Sequence, residues 1–364
     1  MISKVPNVQS LCAGDTVEVL GLPEVRATLD AEGACDGLPF MPEMVRHCGQ
    51  RFRVAKRAHK TCDTLHGVGA LRVRTSAVHL EGLRCDGSAH GGCEASCFLF
   101  WSASWLRRVP GGAVASPEVA APRAVPAAEL PVSWTLRAGT SGAAERPRYR
   151  CQATEVPGFT QALPYWDPRQ YVQDWMSGNV TLQEMLWGMF HSLYRALLGL
   201  GVGYRYVVRA YNWLQRRRGG PLNPYVSGVL KSTPIAKLDL APGDIVRIRS
   251  LDEIVATLDV RNRNRGLWFA PEELGQFCGK RATVAKRVTR LINERTGEMI
   301  ETKTPSVILD GVNCTGSAVD KRLFCPRASA LFWREIWLDR VEQAASTDET
   351  HAAAGCRDAE SSSR

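Results

Sequence analysis

The chain lacks the short motifs that carry most known reactions. It has no Gly-rich phosphate loop, no G-x-S-x-G, no H-E-x-x-H or H-x3-H pair and no paired-carboxylate constellation. P-loop phosphoryl transfer, serine hydrolysis and zinc-peptidase chemistry therefore have no visible carrier. The cysteines form no C-x2-C pair, which removes the common zinc-ribbon spacing. No apolar run reaches the roughly 20 residues that a membrane-spanning helix needs. The opening MISKVPNVQSLCAGD has no apolar core followed by a small-residue cleavage site, so no secretory leader is expected. A cytoplasmic location is the expectation, where cysteines are thiols or metal ligands more often than disulfides.

What the 364 residues do contain is cysteine, twelve in all, and a net charge of +9. The length suits two or three domains. The charge is compatible with an anionic partner (nucleic acid, an acidic protein or a membrane surface) and equally with an ordinary basic surface.

Segments recur along the chain. GDTVEVLGLPEVRATLD (14–30) returns as GDIVRIRSLDEIVATLD (243–259). Each opens on a Gly-Asp turn and an alternating strand. A short helical stretch follows, with Val25 and Leu29, or Ile254 and Leu258, one turn apart. GLPFMPEMVRHCGQRFRVAKR (37–57) matches GLWFAPEELGQFCGKRATVAKR (266–287), with one residue inserted, and AVHLEGLRC (77–85) matches SVILDGVNC (306–314). Both copies close alike, with Phe100, Trp101, Trp105, Leu106, Arg108 and Val109 against Phe332, Trp333, Trp337, Leu338, Arg340 and Val341. These aromatics are expected to be core.

The order G-D-x-V-x-V, then a long loop holding Pro-Glu, then C-G-x-R-x-x-V, resembles SH3-like barrels of the nitrile-hydratase β-subunit type. The resemblance covers the first half of each copy. The catalytic cysteines of that enzyme lie in its other subunit, so no catalytic residue is implied. The whole chain also resembles an uncharacterised cysteine-rich bacterial family. The matching stretches are GLPFMPEMVRHCGQRFRV, AHKTCDT, HLEGLRCDGSAHGGCEASCFLFW, YRCQATE, NRGLWFAPEE and FCPRASALFWREIWLDRV. That resemblance implies no activity. The expected fold is mainly β with an α insert: two tandem small SH3-like β-barrels separated by a linker and a helical segment. The first barrel spans 14–109, an Ala/Pro-rich flexible linker 110–148, the helical middle 149–240, the second barrel 243–341 and a disordered tail 343–364.

Chemistry is expected on sulfur. A zinc ion or iron–sulfur cluster needs about four converging ligands. Cys85, Cys93 and Cys97 flank the Gly-rich loop DGSAHGG and would supply three, with Cys62, Cys48 or Cys151 as the fourth. The spacing matches no common zinc module, which favours an iron–sulfur cluster over zinc. In the second copy Cys278 pairs with Cys48 and Cys314 with Cys85, and Cys325 lies near the place of Cys93. With only three cysteines, the second-copy site would be incomplete, supplemented by a ligand other than cysteine, or empty. The competing reading has the thiols buried against the tryptophans.

His90, inside the loop, is a candidate ligand or proton carrier, although a surface histidine is the commoner outcome. His47, His59, His66 and His79 neighbour the same module. Pro42-Glu43 and Pro271-Glu272 put a carboxylate at one place in both copies, which a helix start explains first, with a catalytic or metal role for Glu43 as the lesser reading. In the middle segment Leu182, Leu186, Met189, Leu193 and Leu197 share a helix face, and Glu184, His191 and Arg195 the other. The apolar face is expected to pack on the barrels. The alternative is peripheral membrane contact by 182–218, which ends in Arg216, Arg217 and Arg218. Basic runs near Arg51–Lys60, Arg261–Arg265 and Lys280–Arg290 admit a nucleic-acid partner, against the plainer reading of solvated strand faces.

These features point to an accessory metalloprotein holding a cysteine-ligated metal or iron–sulfur centre, in electron transfer with a protein or redox partner. The alternatives are an interaction scaffold with structural zinc or free thiols, and a basic nucleic-acid-binding module. No reaction is assigned.

Overall fold

The computed structural model describes residues 10–65, 69–109, 147–200, 204–218, 228–316 and 322–341. All but the last two residues of the expected linker, the expected tail and His66 lie outside the described residues.

The first copy folds as β1 (Thr16–Val19), α1 (Leu22–Arg26), β2 (Ala34–Cys35), β3 (Leu38–Pro39), a 3-10 turn (Pro42–His47), β4 (Arg51–Arg57), β5 (Lys60–Cys62), β6 (Ala70–Val73), β7 (Ala77–Leu80), β8 (Trp101–Ser102) and β9 (Leu106–Arg108). The insert contributes α2 (Val156–Phe159), β10 (Thr160–Leu163), α3 (Arg169–Met176), α4 (Leu182–Leu200) and α5 (Tyr204–Arg218). The second copy repeats the pattern with β11 (Ile245–Ile248), α6 (Leu251–Val255), β12 (Arg263–Asn264), β13 (Leu267–Trp268), α7 (Pro271–Leu274), β14 (Arg281–Ile292), β15 (Met299–Asn313), β16 (Ala330–Trp333) and β17 (Leu338–Arg340).

The protein is mainly β with a helical insert. Each copy builds one five-stranded antiparallel sheet in the same order, β8-β7-β4-β1-β9 and β16-β15-β14-β11-β17. The alternation in the first strand of each copy orients its side chains. Val17 and Val19, and Val246 and Ile248, point into the core while their neighbours are partly exposed. The expected closure into barrels is not formed among the described residues. The two edge strands of each sheet do not pair with one another. In the first copy the edges are only two and three residues long, and a 3-10 turn (Ala103–Trp105) carries the chain from one to the other. The same turn recurs at Glu335–Trp337.

The duplication extends to single contacts. Trp101, Trp105, Trp333 and Trp337 are all fully buried, as the sequence leads one to expect. Trp105 Nε1 donates to Thr28 Oγ1 at 3.0 Å, and Trp337 Nε1 to Thr257 Oγ1 at 3.0 Å. These two indole N–H groups are thereby satisfied inside an apolar core, whereas those of Trp101 and Trp333 are buried without a hydrogen-bond partner. Phe40 meets Trp105 edge-on at 5.1 Å, and Phe269 meets Trp337 at 5.3 Å.

The copies differ in reach. β14 and β15 have 12 and 15 residues where β4 and β7 have 7 and 4. The extra length grips the first copy. Glu94 accepts hydrogen bonds from the N–H groups of Thr289 and Arg290, and Arg84 donates to Asn313 Oδ1 and Ala328 O, each at 3.0 Å. The insert is built in as well, because β10 pairs with β6 to extend the β5–β6 hairpin.

Helix α4 turns the opposite way from expectation. Leu182, Leu186 and Leu193 are 57%, 61% and 59% exposed, and Met189, Phe190 and Leu197 are exposed beside them. The buried side carries Met185, His191 and Tyr194. Gly188 permits this approach, since a Cβ there would lie 2.5 Å from the Phe324 ring. Tyr194 stacks on Tyr211 of α5 with centroids 3.9 Å apart. Aromatic stacking and close backbone approach thus choose the inward face, rather than aliphatic content.

Candidate metal centre

Three side chains from two segments of the first copy converge in its interior. Glu43 stands on the 3-10 turn that Pro42 opens, and is buried. Cys85 follows β7 at a bridge between Arg84 and Phe98, where its N–H donates to Cys97 O at 2.8 Å. His90 lies in the loop that begins there. Gly87 lets that loop fold on itself, because its φ is +78° and an added Cβ would collide with the Cys93 carbonyl. Its carbonyl accepts from the N–H groups of His90 and Gly92 at 3.1 and 2.9 Å. Asp86 anchors the entry to the loop, accepting from Arg46 at 2.6 Å and from the Ser88 hydroxyl at 2.7 Å.

The Cys85 thiol lies 3.3 Å from Glu43 Oε1 and 3.3 Å from His90 Nε2, and His90 Nδ1 lies 3.8 Å from Glu43 Oε1. The ligand atoms of all three residues fall within 4.8 Å of one another. Glu43 Oε2 and His90 Nδ1 are buried without a hydrogen-bond partner. Burial lifts the Glu43 carboxyl to about 7 and pushes the His90 imidazole down to about 4. It drives the Cys85 thiol far above its ordinary value, and nearby Glu43 pushes it further the same way. Each group therefore resists its charged form, and a cation between them would reverse the preference of the two acids.

A cavity of about 30 Å³ adjoins the trio and is lined also by Cys93, Cys97 and Cys151, with Arg327 and Glu294 from the second copy. That volume holds about two water molecules. Four of the expected sulfur ligands, Cys85, Cys93, Cys97 and Cys151, thus line one cavity, but only Cys85 belongs to the close group. Cys93 Sγ accepts from Ile292 N–H at 3.4 Å. Burial raises Cys97 to about 11 and Cys151 to about 12, so both are neutral thiols near pH 7.

The other candidates lie elsewhere. Cys62 hydrogen-bonds with Cys325 on the far side of Arg327. Cys48 and Cys278 pack against the first and second cores as matched thiols, each raised to about 11 by burial. Cys314 is raised to about 12 by burial, with Glu273 beside it.

Glu43 and His90 belong to the group that the cysteine pattern alone does not reveal. Counting back from the Cys-Gly turn, Glu43 precedes Cys48 by five residues and Glu273 precedes Cys278 by five. The counterpart of Glu43 is thus Glu273, not Glu272, and the inserted residue falls before the cysteine. Met44 and Leu274, the next residues, are both buried. In the second copy Glu273 accepts from the Thr315 N–H, from Thr315 Oγ1 at 3.1 Å and from Gly316 N–H at 3.3 Å. C-D-G-S-A-H in the first copy corresponds to C-T-G-S-A-V in the second, so valine stands at the place of His90. This buried Glu aligned across the copies, with a histidine private to one, was the signal available in the sequence.

Among the described residues, no helix is long and apolar enough to cross a membrane. No protein-family model, curated protein or solved structure matches this chain.

Proposed function

We propose that the protein is an accessory metal-binding protein whose centre is Glu43, Cys85 and His90. The carrying observation is the donor geometry. A tetrahedral ion about 2.0–2.3 Å from O, N and S donors sets them roughly 3.3–3.8 Å apart; the Cys85 thiol lies 3.3 Å from both Glu43 Oε1 and His90 Nε2, and one donor atom from each residue lies within 4.8 Å of the other two. The unpartnered Glu43 Oε2 and His90 Nδ1 support the same reading. Thiolate, imidazole and carboxylate together suit zinc, which is borderline-soft and accepts all three. A fourth position would face the cavity, whose size suits a water and not an organic substrate, hence an accessory role with a protein partner.

A second reading keeps the iron–sulfur centre and electron transfer, because Cys85, Cys93, Cys97 and Cys151 line one cavity. The mixed donor set and the small volume weigh against it. We further read the two open sheets as SH3-like barrels opened at the 3-10 corner, in keeping with the cysteine-rich bacterial family that the chain resembles, and the location as cytoplasmic. The identical strand order supports the first of these. Nucleic-acid binding is the weaker partner reading, since Arg51 is paired with Glu18 and Arg287 with Glu335.

Metal analysis of protein purified without oxygen tests the centre. One zinc per chain is expected, with affinity falling by about tenfold or more in Glu43→Gln, Cys85→Ala and His90→Ala and unchanged in Glu273→Gln. Wild-type protein that carries no metal and takes up neither Zn²⁺ nor Co²⁺ overturns it. A brown protein absorbing near 400 nm establishes the cluster reading instead, roughly where iron–sulfur charge transfer is expected.

A further inference from the structure

We propose that the outer face of α3–α5 docks on anionic lipid, lying in the headgroup layer with the apolar stripe of α4 turned toward the acyl chains. This does not rest on the metal centre. Leu182, Leu186, Met189, Leu193 and Leu197 recur at helical spacing, and every one of them is exposed. α3 ends just before this stripe begins, and its Trp175 and Met176 are 55% and 71% exposed. An unpartnered apolar surface of this extent marks an interaction site.

The charge around the stripe selects the occupant. The α5 sequence YRYVVRAYNWLQRRR has no acidic residue, and Arg209, Arg216, Arg217 and Arg218 are exposed. The one acid of α4, Glu184, is spent capping its own helix through Thr181. Arg218 lies over the Trp187 ring at 4.0 Å, and Trp187 in turn stacks on Phe190 of the stripe's flank. Arg217 lies over Trp213 at 3.8 Å. Guanidinium groups seated on indoles beside exposed leucines combine the cationic and aromatic components of interfacial helices. A second copy of this chain carries the same cations, so pairing this face with itself would oppose like charges. No helix among the described residues can span a bilayer, which leaves attachment in the plane of the surface.

The test uses the full chain in vesicle cosedimentation, with phosphatidylcholine alone and with phosphatidylcholine containing phosphatidylglycerol. Binding is expected to the anionic vesicles and to weaken with added salt. Leu186→Ser with Leu193→Ser should lower the partition constant by about tenfold or more. Arg216→Gln with Arg217→Gln and Arg218→Gln should lower it by on the order of a hundredfold at low salt. Both variants alter exposed side chains and should melt as the wild type does. The proposal is overturned by an absence of cosedimentation, by equal binding to both vesicle types, or by unchanged binding in both variants. It is equally overturned if no lipid is bound and the leucine variant dissociates a dimer seen by sedimentation velocity.

Discussion

Lys60 Nζ lies 2.6 Å from Asp174 Oδ2, and neither side chain touches solvent. The ammonium also donates to Leu323 O at 2.8 Å and sits 5.1 Å from the Tyr171 ring centroid. One charge thus ties β5, α3 and the second copy together. Burial lowers the Lys60 pKa and Asp174 opposes the fall. Removing one partner strands the other, so Asp174→Asn should cost about 3–5 kcal/mol in urea unfolding. Lys60→Met combined with Asp174→Leu should cost less than the sum of the single changes, because neither charge is then stranded. Strict additivity would show that the two residues are not coupled.

His79 gives the protein a sensitivity to acid. It is fully buried, stacked on Phe98 at 4.7 Å, with Nδ1 donating to Leu99 O at 2.9 Å. Burial pushes its pKa from 6.5 down to about 3. The unfolded chain therefore takes up the proton first. Stability is complete above about pH 6.5 and declines as pH falls toward 3. His47, lowered to about 4 by burial, acts in the same direction. His79→Gln keeps a donor for Leu99 and should remove about 1.4 kcal/mol per pH unit from the slope between pH 6 and 4. Melting temperatures across that range decide it, and parallel curves for variant and wild type would exclude His79.

Two glycines of like backbone separate strain from collision. Gly87 and Gly82 have φ of +78° and +73°. A Cβ at Gly82 meets nothing within 4 Å, whereas at Gly87 it would sit 2.0 Å from the Cys93 carbonyl oxygen. Gly82→Ala should cost only about 1 kcal/mol, the ordinary left-handed penalty. Gly87→Ala should cost clearly more and abolish metal retention, since the loop carrying His90 cannot close. Equal melting temperatures for the two variants would refute this.

Cys62 should be an unusually acidic thiol. The Cys325 S–H donates to it, and Arg327 and Arg322 add positive potential, which together hold its pKa below the ordinary thiol range. Arg327 Nη1 approaches Cys62 Sγ at 3.9 Å while Nη2 binds Glu294 at 2.8 Å. Alkylation by iodoacetamide, followed residue by residue by mass spectrometry, should reach half its limiting rate at Cys62 below the ordinary thiol value of about 8.5. Arg327→Met should move that midpoint upward. A midpoint at the ordinary value in the wild type would sink the idea.

The internal repeat, the buried tryptophans and the strand alternation were legible because each is a local pattern with a single packing solution. The two faces of α4 were legible too, but which one turns inward was not. Periodicity marks faces without naming a partner, and here Gly188, His191 and Tyr194 find Phe324 and Tyr211 from distant segments. The candidate centre was half legible for a similar reason. Cys85 advertised itself by residue type. His90 was visible as a candidate in the same loop, while Glu43 read first as a helix-start carboxylate, and only the fold set it 3.3 Å from that thiol.

The grip of Glu94 on Thr289 spans 195 residues of chain. A ribosome releases the loop bearing Cys85 and His90 long before it makes the strand that clamps it. The loop must therefore wait, unbraced, while the insert and half of the second copy are synthesised. The copy that lacks the histidine is thus the late-made brace of its twin's loop.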